Sequence, residues 1–228
     1  MLEHRLEVEE LMDNPALPEA TYREVLTDLA RVNRVTMAYR PTLTFLERAL
    51  VGRRSFKLLD VGFGNGDMLR EIARWAARAG KSPHLVGADL NPRSEAAARA
   101  ATPEGMTITY RTGDYADLAG QGWDVVISSL VAHHMSRDQL LAFLRFMEAE
   151  ARVGWFVNDL HRKAFAYRGY PLLAALAGWH RIVRLDGQTS IARSFRREDW
   201  QGLLAEADIT EARIEPRFPF RLCVARTR

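Results

Sequence analysis

Residues 57–79, KLLDVGFGNGDMLREIARWAARA, constrain the fold more than any other stretch of the chain. A short aliphatic run leads directly into a turn with glycine at 62, 64 and 66, and the turn leads into an amphipathic helical pattern. A strand, a glycine turn and a helix in that order set free backbone N–H groups and the positive end of a helix dipole beside whatever approaches the turn. Glycine is needed where backbone must come close to a ligand or adopt positive φ. Several nucleotide-binding folds share such a turn, so the residues around it have to decide between them.

Downstream of Lys57, short runs rich in Val, Ile and Leu alternate with helical patterns, which predicts βαβ units and a mostly parallel, doubly wound α/β sheet. The strand candidates are residues 57–61, 84–90, 106–111, 123–130, 153–160, 211–217 and 220–227. Between the second and third, the alanine-rich stretch 92–101 reads as a helix capped by Asn91 with Pro92 in its first turn. Two helices precede the first strand, at about 18–40 and 42–51, divided at Pro41 and closed by Gly52. Tyr22, Leu26, Leu29, Val32 and Val35 or Thr36 recur at helical spacing and form a stripe that packs on the core or covers a substrate. The expected organisation is a helical cap over 1–52 and a core over 53–228, interrupted by an insertion at 163–195. Phe165, Tyr167, Tyr170, Leu172, Leu173 and Trp179 give that insertion an aromatic load suited to an apolar pocket wall.

Composition removes several alternatives. No apolar run approaches the roughly 18 residues of a membrane-spanning helix, and the acidic N-terminus MLEHRLEVEEL lacks the pattern of a secretory signal, so a soluble cytoplasmic protein is expected. The single cysteine, Cys223, excludes an internal disulfide and a cysteine-ligated iron–sulfur cluster, and its apolar surroundings suit a buried thiol. The net charge of +3 comes mainly through arginine, and its densest cluster, RSFRR at 193–197, is short. A nucleic-acid binder calls for a longer basic stripe.

A dinucleotide-binding turn wants Gly or Ala at its sixth position, where this chain has Asp67. A carboxylate there repels a pyrophosphate but suits a nucleoside cofactor that lacks phosphate and carries positive charge. Asp89 ends the second strand, roughly 20 residues beyond the turn, where related sites place an acid on ribose hydroxyls. Gly113-Asp114-Tyr115 follows the third strand and puts an acid within reach of an adenine amino group. The fourth strand begins at Asp124 and ends in Ser128-Ser129-Leu130. Apart from Asp124, these positions fall at the carboxyl ends of strands, where open α/β sheets bind ligands.

With these residues in place, the chain resembles class I S-adenosylmethionine-dependent methyltransferases: DVGFGNGD, ADLN, GDYAD and WDVVISSLVAHHM are similar to their first four motifs. The resemblance runs from Lys57 to about Leu160. It implies a Rossmann-like, seven-stranded, mostly parallel sheet whose last strand, FRLCVARTR, is antiparallel, and it implies S-adenosylmethionine as cofactor. By the same similarity, Asp60, Gly62, Phe63, Gly64, Asn65 and Gly66 surround the methionine part, Asp89 and Leu90 the ribose, and Asp114 and Tyr115 the adenine, with Ser129 nearby.

Methyl transfer from a sulfonium mainly needs alignment and desolvation. A phenolic acceptor with pKa about 10 also needs a base, and histidine with pKa about 6.5 is the natural one. His133 and His134 follow the fourth strand, and only one of the two is expected to face inward. Asp159 and His161, after the fifth strand, are candidates to orient a histidine or touch the acceptor. No cluster with metal-ligand spacing stands out, so no metal is expected. The resemblance also implies what is acted on: the missing N-P-P-[FYW] tetrapeptide speaks against exocyclic amines of bases, and LARVNR and NDLHR are similar to small bacterial methyltransferases of polyketide or phenolic-lipid pathways. The expectation is O-methylation of a small phenolic or quinol-like compound by a monomer or homodimer without nucleic acid. Methylation of RNA or protein, and a non-catalytic cofactor-binding module, remain as alternatives.

Overall fold

A computed structural model describes residues 2–228. Seven strands form one sheet: β1 (Ser55–Val61), β2 (Ser82–Asp89), β3 (Thr109–Thr112), β4 (Val125–Ser129), β5 (Gly154–Leu160), β6 (Arg213–Arg217) and β7 (Arg221–Thr227). Their order is β3-β2-β1-β4-β5-β7-β6. β1 to β5 run parallel, and β7 pairs antiparallel with both β5 and β6. From β1 the chain winds outward through β2 and β3 and then returns to place β4 on the other side of β1. The crevice at the carboxyl ends of β1 and β4 is therefore the topological switch point where such sheets take their ligands.

The central strands β1, β4 and β5 are buried on both faces, as a parallel sheet between helices requires, whereas the edge strands β3 and β6 are largely open to solvent. Successive residues alternate between two cores. Leu59, Val126, Trp155 and Val224 pack with the helices α5 (Arg137–Glu150) and α8 (Arg197–Glu206). Leu58, Val125, Phe156 and Cys223 pack with α2 (Tyr39–Ala49) and α3 (Asp67–Arg78) on the opposite face. The Cys223 thiol is buried as its neighbours foretell. Between β2 and β3 lies α4 (Pro92–Ala101), whose cap Asn91 accepts from the Arg93 N–H.

Two features differ from expectation. The first helix, α1 (Glu19–Val35), ends at Thr36 rather than Pro41. Met37 takes φ of +52° and its N–H donates to Arg34, while the Ala38 N–H reaches back to Asn33, the Schellman pattern that closes a helix from within. Pro41 then sits in the first turn of α2, where its missing N–H costs nothing. The insertion holds two helices, α6 (Ala164–Leu176) and α7 (Arg181–Arg193), and the second carries too weak an apolar periodicity to stand out in sequence.

The stripe on α1 is used twice. Val25 and Val32 pack against Ala166, Tyr170, Trp179, Val183 and Ile191 of the insertion, and Tyr22 and Leu26 pack against Ala97 of α4. Helix α1 thereby bridges the insertion and the Rossmann-like core across the switch point, and its inner face becomes a roof.

Candidate active site

Beneath that roof is a cavity of about 660 Å³, within the range of about 300–1,000 Å³ that ligand sites occupy. Gly62, Phe63, Gly64, Asn65, Asp89, Leu90, Tyr115 and Ser129 line one end of it. The glycines earn their places individually. Gly62 has φ of +76°, and a Cβ there would lie 2.3 Å from Val131 Cγ2; Gly64 has φ of +51° and open space where its Cβ would point. Gly66 caps α3 in the left-handed conformation.

Asp89 braces this end, accepting from the Gly64 N–H at 2.8 Å through Oδ2 and from the Asn91 N–H at 2.8 Å through Oδ1. Burial raises its pKa, against the pull of those two N–H groups. Asp60 lies in an adjoining recess with Asp67, Gly62, Phe63 and Ser129. It is 1% exposed, and its Oδ1 is buried without a hydrogen-bond partner. Burial pushes the Asp60 carboxyl well above its usual range, and the nearby charges of Asp67 and Asp89 push it further. Asp67 is better satisfied, accepting from Tyr39 Oη at 2.7 Å and Asn33 Nδ2 at 2.9 Å. Three carboxylates around a glycine turn, one of them lacking a partner, make a place for a cation without phosphate, and an ammonium group supplies the donor that Asp60 lacks. The residues therefore fit S-adenosylmethionine.

The other end of the cavity carries a cluster of acid and imidazole groups. His133 and His134 form a short 3-10 turn directly after β4, and both line the cavity, where only one was expected. Asp159 is fully buried on β5 behind His133, with Oδ1 2.7 Å from His133 Nδ1 and Oδ2 accepting the His133 backbone N–H at 2.9 Å. Glu10, 5% exposed, reaches in from the N-terminal segment and places Oε1 3.5 Å from His133 Nε2 and 3.8 Å from His134 Nε2. Ser190 Oγ of α7 donates to the same Glu10 oxygen at 2.7 Å, and Asp13 Oδ2 lies 3.2 Å from His134 Nδ1. Burial disfavours charge on His133, but Asp159 and Glu10 outweigh it and raise its pKa to about 9. In return, the imidazoles hold Glu10 and Asp159 below their usual range despite burial.

Apolar side chains of the roof and insertion close the space between the two ends, among them Leu26, Leu29, Val32, Leu160, Tyr170 and Phe220. Tyr170 is the aromatic residue of 163–179 that reaches the cavity; Trp179 is buried behind it and Phe165 faces solvent. Two sequence candidates stand outside. The Asp114 side chain is exposed and spends its acceptor capacity capping the turn 115–118. His161 lies one residue beyond the end of β5, where the strand has turned to bridge Phe195 and no longer faces the cavity. Burial, with Lys163 and Arg197 nearby, lowers its pKa to about 4.

Glu10, Asp13, Asn33, Tyr39 and Ser190 belong to the site and were missed in the sequence. Nothing local marks them; the acidic run around Glu10 reads as solvated surface until the fold buries it.

Residues 58–154 match the family model of a methyltransferase domain. No curated protein matches the chain by sequence. Among solved structures, the chain is similar to the plantazolicin methyltransferase BpumL in complex with a pentazolic desmethylPZN analog and SAH, at 12% identity over 90% of each chain with a TM-score of 0.65. It is similar to human N-acetylserotonin methyltransferase in complex with SAM, at 16% identity over 97% of this chain and 60% of that one, TM-score 0.66. Magnesium protoporphyrin IX methyltransferase from Synechocystis PCC 6803 with bound SAH is a third, at 16% identity over 95% and 90%, TM-score 0.57. Identities this low speak for the fold, and the domain match speaks for the chemistry of the cofactor end. Residues 58–154 therefore carry a methyltransferase domain, set in a seven-stranded, mostly parallel sheet of the fold that S-adenosylmethionine-dependent methyltransferases share.

Proposed function

We propose that the chain methylates an oxygen of a small phenolic or quinol-like compound. The observation that carries this reading is the cavity itself, which joins the cofactor loop to the cluster of Glu10, His133 and His134 through an apolar, roofed passage. When bound, the cofactor supplies an electrophilic methyl group on sulfur. Asp60 and Asp67 hold the cationic end of that molecule in place, and the Asp89 carboxylate is positioned for hydroxyl groups at the end of β2. Leu26, Leu29 and Val32 exclude water, which strengthens each charge inside. An acceptor hydroxyl docks at the histidine and carboxylate cluster and gives up its proton there, so that its oxygen becomes the nucleophile. Two of the similar structures are methyltransferases named for small molecules, magnesium protoporphyrin IX and N-acetylserotonin.

No helix of the described residues is long and apolar enough to cross a membrane. The α1 roof and the apolar lining of the cavity favour a small acceptor over a folded macromolecule. The test is transfer of labelled methyl from S-adenosylmethionine to a panel of phenols and hydroquinones, with anilines and thiols as comparison. Label fixed on phenolic oxygen supports the proposal. Label appearing only on nitrogen or sulfur acceptors, with the phenols inert, sinks it.

A further inference from the structure

We infer that Glu10, His133 and His134 bind a divalent transition-metal cation at the acceptor end of the cavity. One ligand atom from each of the three residues lies within 4.8 Å of the others. Metal bonds of about 2.0–2.2 Å to nitrogen and carboxylate oxygen put neighbouring ligand atoms about 3.0–3.5 Å apart. The two imidazole Nε2 atoms already stand 3.5 and 3.8 Å from Glu10 Oε1, so on the carboxylate side loading requires shifts of a few tenths of an ångström.

The surrounding groups argue for a built site rather than a chance meeting of polar side chains. Each imidazole has its Nδ1 against a carboxylate, Asp159 for His133 and Asp13 for His134. That partner fixes the ring with Nδ1 on the carboxylate and Nε2 aimed at Glu10, the arrangement found behind most metal-bound histidines, and a metal binding there displaces the Nε2 proton. Ser190 orients Glu10 in the same way. Charge agrees with geometry: Glu10, Asp13 and Asp159 bring three negative charges to two imidazoles. Two guanidinium groups lie close, but Arg5 donates to the main-chain oxygens of His133, Met135 and Arg193, and Arg193 to those of Val8, His133 and His134, so neither occupies the space between the ligands.

Two imidazoles and one carboxylate leave coordination positions open toward the cavity. That donor set suits zinc, iron(II) or manganese(II) and not magnesium, which prefers oxygen ligands. On the reading of the chain as an oxygen methyltransferase, an open position is where the acceptor hydroxyl docks.

The experiment uses the full-length chain, stripped with EDTA and dialysed. Calorimetric titration with zinc chloride, and electron paramagnetic resonance with manganese(II) chloride, should each report one cation per chain. Glu10→Gln and His134→Gln should weaken zinc by tenfold or more, while His84→Gln, on the far edge of β2, should not change it. S-adenosylhomocysteine binding, measured in every variant, shows whether the fold and cofactor loop are intact. A wild-type chain that takes up no zinc or manganese overturns the inference, as does unchanged zinc affinity in both Glu10→Gln and His134→Gln. Zinc binding separates the two readings: no cation uptake by a chain that methylates phenols refutes the cation and keeps the oxygen acceptor, whereas stoichiometric zinc with inert phenols does the reverse.

Discussion

One carboxylate holds His133 at two points: Asp159 Oδ2 accepts its backbone N–H at 2.9 Å while Oδ1 meets ring Nδ1 at 2.7 Å. A residue on β5 thus sets both the turn of the chain after β4 and the rotation and tautomer of the imidazole. Asp159→Asn keeps the shape and can keep the backbone bond, but its amide then faces Nδ1 with N–H and drives the ring proton to Nε2. Turnover is expected to fall by about 10- to 100-fold, the usual cost of losing such an orienting partner. S-adenosylhomocysteine affinity should be unchanged by calorimetry. Wild-type turnover in Asp159→Asn would remove Asp159 from any positioning role.

Gly62 and Gly64 stand two residues apart in the cofactor loop and should fail differently. In Gly62→Ala the new methyl meets Val131 at 2.3 Å in a backbone of positive φ, and overpacking with strain costs about 1–3 kcal/mol. In Gly64→Ala nothing lies within 4 Å of the methyl, so stability falls only by the left-handed penalty of about 1–2 kcal/mol. That methyl, however, stands at the lining of the cavity proposed for the cofactor. Urea denaturation should rank Gly62→Ala as the less stable, and calorimetry should rank Gly64→Ala as the weaker binder relative to its stability loss. The reverse ranking in both measurements would place the ligand elsewhere.

Those glycines explain why the cofactor end was legible in the sequence and the acceptor end only in part. Gly62, Asp67, Asp89 and Tyr115 serve a local unit, a strand followed by its turn, so their spacing along the chain carries their meaning. His133, four residues past the tip of β4, was reachable by the same logic. Glu10 was not, because it meets His133 across 123 residues and by way of a roof that only the packing of α1 on α6 and α7 creates. His161 shows the opposite failure: strand alternation puts it on the side of Asp159, but β5 has ended and the chain has turned away.

Asp60 is placed for binding at the expense of the free protein. Its folded pKa is raised by burial and by Asp67 and Asp89, so as pH climbs above the unfolded carboxyl value of about 3.9 the unfolded state ionises first and stability drops. At neutral pH that penalty is present in the cofactor-free chain. Asp60→Asn removes it, and the melting temperature without ligand should rise by about 2–4 °C for each kcal/mol recovered. S-adenosylhomocysteine should bind the variant more weakly, because the carboxylate that meets its ammonium group is gone. A lower melting temperature together with unchanged affinity would deny Asp60 both roles.

His161 should govern part of the acid limb of stability although it lies outside the cavity. Burial, then Lys163 and Arg197, take its pKa down to about 4 in the folded chain, against about 6.5 unfolded. Between those two values the unfolded state binds the proton and the folded state does not, so stability rises with pH across that window. Its contribution is complete above about pH 6.5 and is lost as pH falls toward 4. His161→Gln has no proton to bind there, and its melting temperature should decline less than that of the wild type between pH 7 and pH 4.5. Parallel acid limbs for the two proteins would show that His161 stays accessible to protons in the folded state, and a cation cluster of Lys163 and Arg197 would then be too well solvated to hold it neutral.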